Sequence, residues 1–333
     1  MWLASMTSMA TENGHDMSLY DSTRTAGRFG SIASNQGSVL GDSSTTSDLS
    51  SCLASTSASH DSLSDYEVQH SIGRGKYSQV FAARHVPTGT TVALKKVAIF
   101  DMMDPQTRQD CLKEVRILQN LQHPNIVKCF NSFIQDNDLI IVMEWAQSGD
   151  LAQLVKQRAQ EGRPFTQDEV WLLFGQICHA VQHMHERRMM HRDLKPSNIF
   201  IASDGCLKLG DLGLSRYFSS RTLQAVTTVG TPYYMSPECI KGQPYEFSSD
   251  IWSLGCLLYE LITLRNPFYK EHQSLYVLGK NISACTYEQL PDSFEPELRN
   301  LVSSMLQPVP QSRPTVGQLV EAVQNASSNH HRL

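Results

Sequence analysis

The octet HRDLKPSN at residues 191–198 constrains this chain more than any other stretch. It sets His191, Arg192, Asp193, Lys195 and Asn198 directly after a segment in which Val170, Leu173, Ile177, Val181 and Met184 recur on one helix face. Thr166 and Glu169 open that segment in the order of a capping box, so the helix has a defined start and a buried face. A loop issuing from such a helix is held against the core. A carboxylate between two cations there is costly to bury unless other segments supply partners.

Those segments lie on both sides of the octet. From about Tyr66 to Val97, short alternating runs separated by Gly-rich or Pro-Thr-Gly turns predict antiparallel strands. Asp104 as N-cap and Pro105 in the first turn predict a helix to about Asn120, and LIIVMEW (139–145) predicts another strand. After Gly149 the pattern turns helical, with further helices expected around 250–264, 296–306 and 315–325. A small β-rich lobe with one helix therefore precedes a larger helical lobe, an α+β bilobal arrangement. We divide the chain into an N-lobe at 65–144, a connection at 144–148, a C-lobe at 149–326 and a short tail at 327–333.

Residues 1–64 differ from the rest. More than a third are Ser or Thr, Arg24 and Arg28 are the only Lys or Arg, and no apolar periodicity lasts two turns. Such composition buries too little apolar surface to offset ordering entropy, which predicts disorder. Two readings stay open, a regulatory tail carrying phosphates and a leader without specific role. The opening MWLASMTSMATENG has no basic n-region and meets Thr, Ser and Glu12 too early for a signal peptide. IWSLGCLLYELITL from Ile251 is too short to span a bilayer and carries Glu260, so it reads as a buried helix, and no membrane association is expected. A net charge of −5 and scattered Lys and Arg argue against nucleic acid as a partner. Eight Cys without any C-x-x-C pair read as reduced thiols in the core, which suits the cytosol or nucleus.

Several segments carry chemistry. In IGRGKYSQV (72–80), Gly73 and Gly75 lie in a turn between predicted strands, where backbone N–H groups can approach an anion; an ordinary hairpin has the same look. In TVALKKV (91–97), Ala93 and Lys95 share one strand face, and Lys95 among apolar neighbours needs an anion unless it is a solvated edge residue. Glu114 falls inside the apolar stripe of Cys111, Val115, Leu118 and Leu121 and needs a cation, so we expect a Lys95–Glu114 pair. LKLGDLG (207–213) brings Asp211 to the end of a strand-like run. Asp211 and Asn198 are hard oxygen ligands of the kind Mg²⁺ accepts beside phosphate oxygens, which leaves Asp193 free to take a proton.

In order and separation these segments resemble the motif set of eukaryotic protein kinases over about residues 66–325. Ser78 replaces the third glycine of the loop, Leu212 stands where most kinases have Phe, and Ser236 where most have Ala. With DLGLSRYFSS and VGTPYYMSPE, these departures resemble the NIMA-related (Nek) kinases, in particular the short members with a catalytic domain and a small N-terminal extension.

The resemblance implies ATP and Mg²⁺ as cofactors and protein Ser/Thr hydroxyls as acceptors. It implies ATP contacts from Ile72, Gly73, Gly75, Val80, Ala93, Lys95, Glu144, Ala146 and Phe200, with Glu114 orienting Lys95 and Met143 as gatekeeper. Asp193 and Lys195 would be catalytic, and Asn198 and Asp211 would hold metal. Arg192, Thr231, Glu238, Asp250 and Arg313 would be structural, with Arg313 pairing with Glu238. Thr227 or Thr228 would take an activating phosphate from an upstream or related kinase, to be bound by Arg192. The alternative is a pseudokinase scaffold, but Lys95, Glu114, Asp193, Asn198 and Asp211 are all retained. Nek resemblance further implies mitotic, microtubule or ciliary roles in the cytoplasm, nucleus or at the centrosome.

Overall fold

The computed structural model describes residues 62–75, 78–102, 104–211 and 232–330. A single 3₁₀ turn at Leu63–Asp65, closed by a capping box from Ser62, leads into β1 (Tyr66–Arg74). The strands β2 (Ser78–His85), β3 (Thr91–Val97), β4 (Cys129–Gln135) and β5 (Asp138–Glu144) complete an antiparallel sheet in the order β1-β2-β3-β5-β4. Between β3 and β4 come a short α1 (Ile99–Met102) and α2 (Pro105–Gln119).

Period-two alternation on β3 decides what each face of the sheet does. Val92 and Leu94 join Tyr66, Ala83, Ile140 and Val142 in a small outer cluster, whereas Val97 belongs to the main core with Leu139 and Ile141. Ala93 and Lys95 lie on the Val97 face. The α2 helix starts where Asp104 accepts hydrogen bonds from the N–H groups of Gln106 and Thr107, and Asn120 caps its end. Its buried residues, Cys111, Leu112, Val115 and Leu118, dock it on the sheet side of the main core.

The second lobe is helical: α3 (Leu151–Gln160), α4 (Gln167–Glu186), α5 (Pro237–Ile240), α6 (Phe247–Thr263), α7 (Leu275–Ser283), α8 (Pro296–Met305) and α9 (Val316–His330). A two-stranded ribbon, β6 (Ile199–Ile201) with β7 (Leu207–Leu209), interrupts the helices and carries the octet's downstream end. The capping box of Thr166 and Glu169 opens α4, and thirteen of the seventeen residues of α6 are buried. Trp252 of α6 is fully buried, stacked on Phe268 with ring centroids 5.5 Å apart. A Cβ on Gly255 would stand 2.9 Å from Met305 and Leu306, so glycine there lets α6 and α8 approach closely. Cys111, Cys178 and Cys256 are buried free thiols, small apolar fillers of this core.

The two lobes meet through backbone. The Val127 N–H donates to the Leu209 carbonyl and the Leu209 N–H to the Asn125 carbonyl, tying β7 to the connection between α2 and β4. The Ser148 N–H donates to the Ile201 carbonyl and the Ile201 N–H to the Gly149 carbonyl, which binds β6 under the segment after β5.

Candidate active site

The sheet registers place the expected roof residues in two rows. Gly73 pairs with Val80, Val80 with Lys95, and Lys95 with Ile141. One step along, Ala82 pairs with Ala93 and Ala93 with Met143. Directly opposed residues in an antiparallel pair share a face, so Val80, Ala93, Lys95 and Met143 line one surface beneath the glycine turn. Ile72 is exposed beside them on β1. The floor comes from the ribbon: Phe200 sits mid-β6, bridged to Asp150 just past the lobe connection. A Cβ on Gly210 would stand 2.5 Å from the Phe200 ring, so only glycine lets the backbone before Asp211 lie against that ring.

The octet's polar groups converge below. The Lys195 ammonium donates to both oxygens of Asp193, at 3.0 and 2.8 Å. The Asn198 amide donates to the Asp193 carbonyl at 2.8 Å and to its carboxylate at 2.9 Å. That fixes the amide orientation and leaves Oδ1 of Asn198 as an acceptor for a cation. Asp211, with a left-handed φ of 52°, turns its carboxylate onto the Lys95 ammonium. Burial acts to raise the Asp211 pKa, but the charge and hydrogen bond of Lys95 outweigh it and hold the carboxyl below its ordinary value. One carboxylate and one amide oxygen are a donor set suited to Mg²⁺ completed by phosphate oxygens, because this ion needs few protein ligands.

The protein kinase domain family matches residues 66–323. The chain belongs to that family. Its kinase domain is related to those of Nek kinases. It is 39% identical over 263 residues to the probable serine/threonine-protein kinase nek3 of Dictyostelium discoideum, covering 78% of this chain and 23% of that protein. It is 38% identical over 250 residues to mouse Nek1, covering 75% and 20% respectively, and 39% identical over 258 residues to mouse Nek3, covering 78% and 49%. The chain thus spans between a fifth and a half of the length of these curated relatives.

Within the kinase domain one expected pairing is corrected. Lys95 bonds to Asp211, not to Glu114. Glu114 is partly buried on α2, with one carboxylate oxygen shut off from solvent. Matching Lys95 to Glu114 paired two residues that each looked out of place. It overlooked Asp211, which the turn after β7 brings within reach of the same ammonium.

Asp250 of α6, expected to be structural, is tied to the octet by contacts the sequence did not reveal. Its carboxylate accepts from the backbone N–H of His191 at 2.9 Å and of Arg192 at 3.0 Å, from His185 Nε2 at 2.8 Å, and from the Tyr245 hydroxyl. Burial works to raise its pKa, but His185 and the Tyr245 hydroxyl outweigh this and keep it lowered. These bonds hold Arg192 at its left-handed φ of 72° and so set the direction in which Asp193 leaves the helix. His191, fully buried, links the octet to the ribbon through Nε2 and the Gly210 carbonyl, 2.9 Å apart. His191 and Arg192 stand beside Asp193 in the octet, which was a usable signal; Tyr245 and His185 gave none.

Away from the reacting groups, Arg313 donates to both oxygens of Glu238 at 2.7 and 2.8 Å, and both side chains are buried. Glu144 and Ala146 lie in the lobe connection, where the Glu144 side chain pairs with Lys208 at 2.8 Å. Thr227, Thr228 and Thr231 lie outside the described residues, as does Leu212.

Proposed function

We propose that this chain is a serine/threonine protein kinase that transfers the γ-phosphate of ATP to protein hydroxyl groups. The observation that carries the reading is the convergence of Lys95, Asp211, Asn198, Asp193 and Lys195 on one region between the sheet and the ribbon. The purine would lie between Val80 and Ala93 above and Phe200 below, with backbone contacts to Glu144 and Ala146 and the glycine turn of Ile72, Gly73 and Gly75 over the phosphates. Lys95 would hold the α- and β-phosphates, oriented by Glu114 once its bond to Asp211 is exchanged.

Asp211 and Asn198 would hold Mg²⁺, which supplies charge neutralisation on the phosphates when bound. Asp193 orients the acceptor hydroxyl and takes its proton as the new oxygen–phosphorus bond forms and the bond to the β-phosphate oxygen breaks, releasing ADP. Lys195 sits 2.8 Å from Asp193, where its charge offsets that of the moving phosphoryl group. Asp250 contributes by fixing the loop rather than by touching substrate.

The acceptor class rests on Lys195 in DLKPSN and on Thr231 in GTP, both resembling Ser/Thr kinases. Ser197 stands where arginine-directed kinases often carry Glu, so no strong demand for arginine upstream of the target follows, and a hydrophobic preference there rests on the resemblance to Nek kinases. An activating phosphate at Thr227, or second at Thr228, would give Arg192 a charge-assisted partner and order the catalytic region. A place in mitotic, microtubule or ciliary regulation rests on the likeness to Nek kinases alone.

The deciding test is transfer of radiolabelled phosphate from ATP to a generic Ser/Thr protein substrate, with Asp193→Asn alongside. Transfer by the unaltered chain and a loss of at least a hundredfold in the variant are expected; equal rates would overturn the assignment. Mass spectrometry of active protein should find phosphate at Thr227 or Thr228, and Thr227→Ala should lower activity several-fold. An unphosphorylated preparation of equal activity would remove that part of the reading.

A further inference from the structure

Beside the lobe connection lies a cavity of about 360 Å³ lined by Leu121, Gln122, His123, Ile126, Lys128, Phe130, Glu144 and Lys208. That is large enough for a side chain or two of a docked segment. Its charge is unbalanced. Glu144 is already committed, with Lys208 on one oxygen and the Lys128 N–H at 3.2 Å from the other. Among the described residues no carboxylate pairs with the Lys128 ammonium, which lies 5.5 Å from the Phe130 ring centre. Phe130 itself is 46% exposed.

His123 adds to the picture. Burial first, and then the charges of His183, His179, Arg187 and Lys208, hold its pKa down at about 4. The ring is therefore neutral at pH 7. Its Nδ1 accepts the Asn125 N–H, so its proton resides on Nε2 as a donor. The wall thus combines an available cation, a neutral donor, surrounding positive charge and apolar side chains. It fits an acidic residue next to an apolar one.

The chain's own N-terminal region meets that description and starts close by. The Leu63 N–H donates to the Gln135 side chain at the far end of β4. From Gln135 back to Phe130 is five residues of edge strand, about 17 Å at about 3.3 Å each. Residues 29–61 contain Asp42, Asp48 and Asp61 and no Lys or Arg. Asp61 is too close to the exit to span that gap, and Asp42 is followed by Ser43. Asp48 is followed by Leu49 and lies fourteen residues before Ser62. A Ser-rich chain of that length has a root-mean-square reach of about 21 Å, close to the span, where effective concentration is greatest.

We propose that Asp48 and Leu49 dock in this cavity in cis, with the Asp48 carboxylate on the Lys128 ammonium and Leu49 among Leu121, Ile126 and Phe130. The contact ties the Ser/Thr-rich segment to the lobe connection through the Glu144 and Lys208 side chains that line the cavity. Phosphate on the neighbouring Ser43, Ser44, Thr45, Thr46 or Ser47 would add negative charge to the same contact.

The full chain carrying Gln122→p-benzoylphenylalanine tests this by photo-crosslinking and peptide mapping, without any measure of phosphate transfer. Crosslinks should fall within residues 45–53. Lys128→Glu and Asp48→Lys should each lower their yield at least fivefold, and the two together should restore it to within about twofold. Lys128 is exposed, so its replacement leaves the fold intact by circular dichroism. Crosslinks elsewhere, a yield indifferent to Lys128→Glu, or no rescue by the charge swap would overturn the proposal. So would crosslinks joining labelled to unlabelled chains in an isotope-mixed sample, since these would place the contact between copies.

Discussion

Removing the Arg313 guanidinium should unfold this domain far more readily than the loss of one surface cation would. Arg313 reaches Glu238 with two hydrogen bonds, the Ser248 carbonyl at 2.8 Å and the Gln307 carbonyl at 2.9 Å, and lies 5.1 Å from the Trp252 ring centre. Burial alone would raise the Glu238 pKa, but Arg313 and the Ser249 hydroxyl hold it down at about 2, against an ordinary 4.5. That difference corresponds to about 3 kcal/mol of stability at neutral pH. It agrees with the roughly 3–5 kcal/mol lost when one member of a buried pair is removed. Arg313→Met keeps apolar volume over Trp252 and strips the charge, so it should lower the urea midpoint by about 1 M or more.

The pH dependence distinguishes this mechanism from simple loss of packing. Because the folded pKa of Glu238 is depressed, its contribution is fully present above about 4.5 and is lost as pH falls through about 2. In Arg313→Met the buried carboxylate keeps only the Ser249 hydroxyl and a backbone N–H as partners, so protonation relieves it. The gap between wild type and variant, read from tryptophan fluorescence in urea, should therefore narrow between pH 7 and pH 3. The double variant Arg313→Met/Glu238→Gln should be more stable than Arg313→Met at pH 7. A loss below about 1 kcal/mol at pH 7, or an equal gap at both pH values, would refute the reasoning.

Three further outcomes are expected. Lys95→Met should abolish phosphate transfer while circular dichroism stays unchanged, since the side chain contacts Asp211 rather than the apolar core; wild-type turnover in the folded variant would remove Lys95 from the site. Gly210→Ala should raise the KM for ATP several-fold by pushing the Phe200 ring aside, and Phe200→Leu added to it should recover part of the loss; an unchanged KM would dissociate Phe200 from the nucleotide floor. Burial lifts the Glu260 pKa to about 7, only partly opposed by the Tyr234 hydroxyl, so its contribution is fully present below about 4.5 and is lost as pH rises through about 7. Glu260→Gln should flatten the decline in melting temperature between pH 5 and pH 8, and an unaltered slope would count against a raised carboxyl there.

What the sequence revealed and what it hid divide along contact range. Asp104 and Thr166 announced their helices because a cap bonds to N–H groups two or three residues on, and both helices begin where those residues predict. The strands from Tyr66 to Val97 were equally local in origin. By contrast α7 passed unnoticed, although Ser274 caps it, because Leu278 and Ile282 alone mark its buried face. The three-residue strand β6 is too short for any period to register, whereas β7 showed as the strand-like run before Asp211. Lys95 and Asp211 are separated by 116 positions, and no rule of spacing could choose between Asp211 and Glu114 as the partner.

Three aspartates in three motifs acquire different duties from the donors around them. A carboxylate offers about four acceptor sites. Asp250 has four donors on its two oxygens and no exposure, so it is saturated and can only hold the octet in place. Asp193 takes the Lys195 ammonium, on a partly exposed side chain that can move with a substrate, and the buried Asn198 amide, and is itself partly exposed. Among the described residues Asp211 takes Lys95 alone, which leaves acceptor sites for a metal ion once the ammonium moves to phosphate. The side chain is the same in each case. What separates an anchor from a base and from a ligand is how many of its acceptor sites the fold has already filled, and with how rigid a donor.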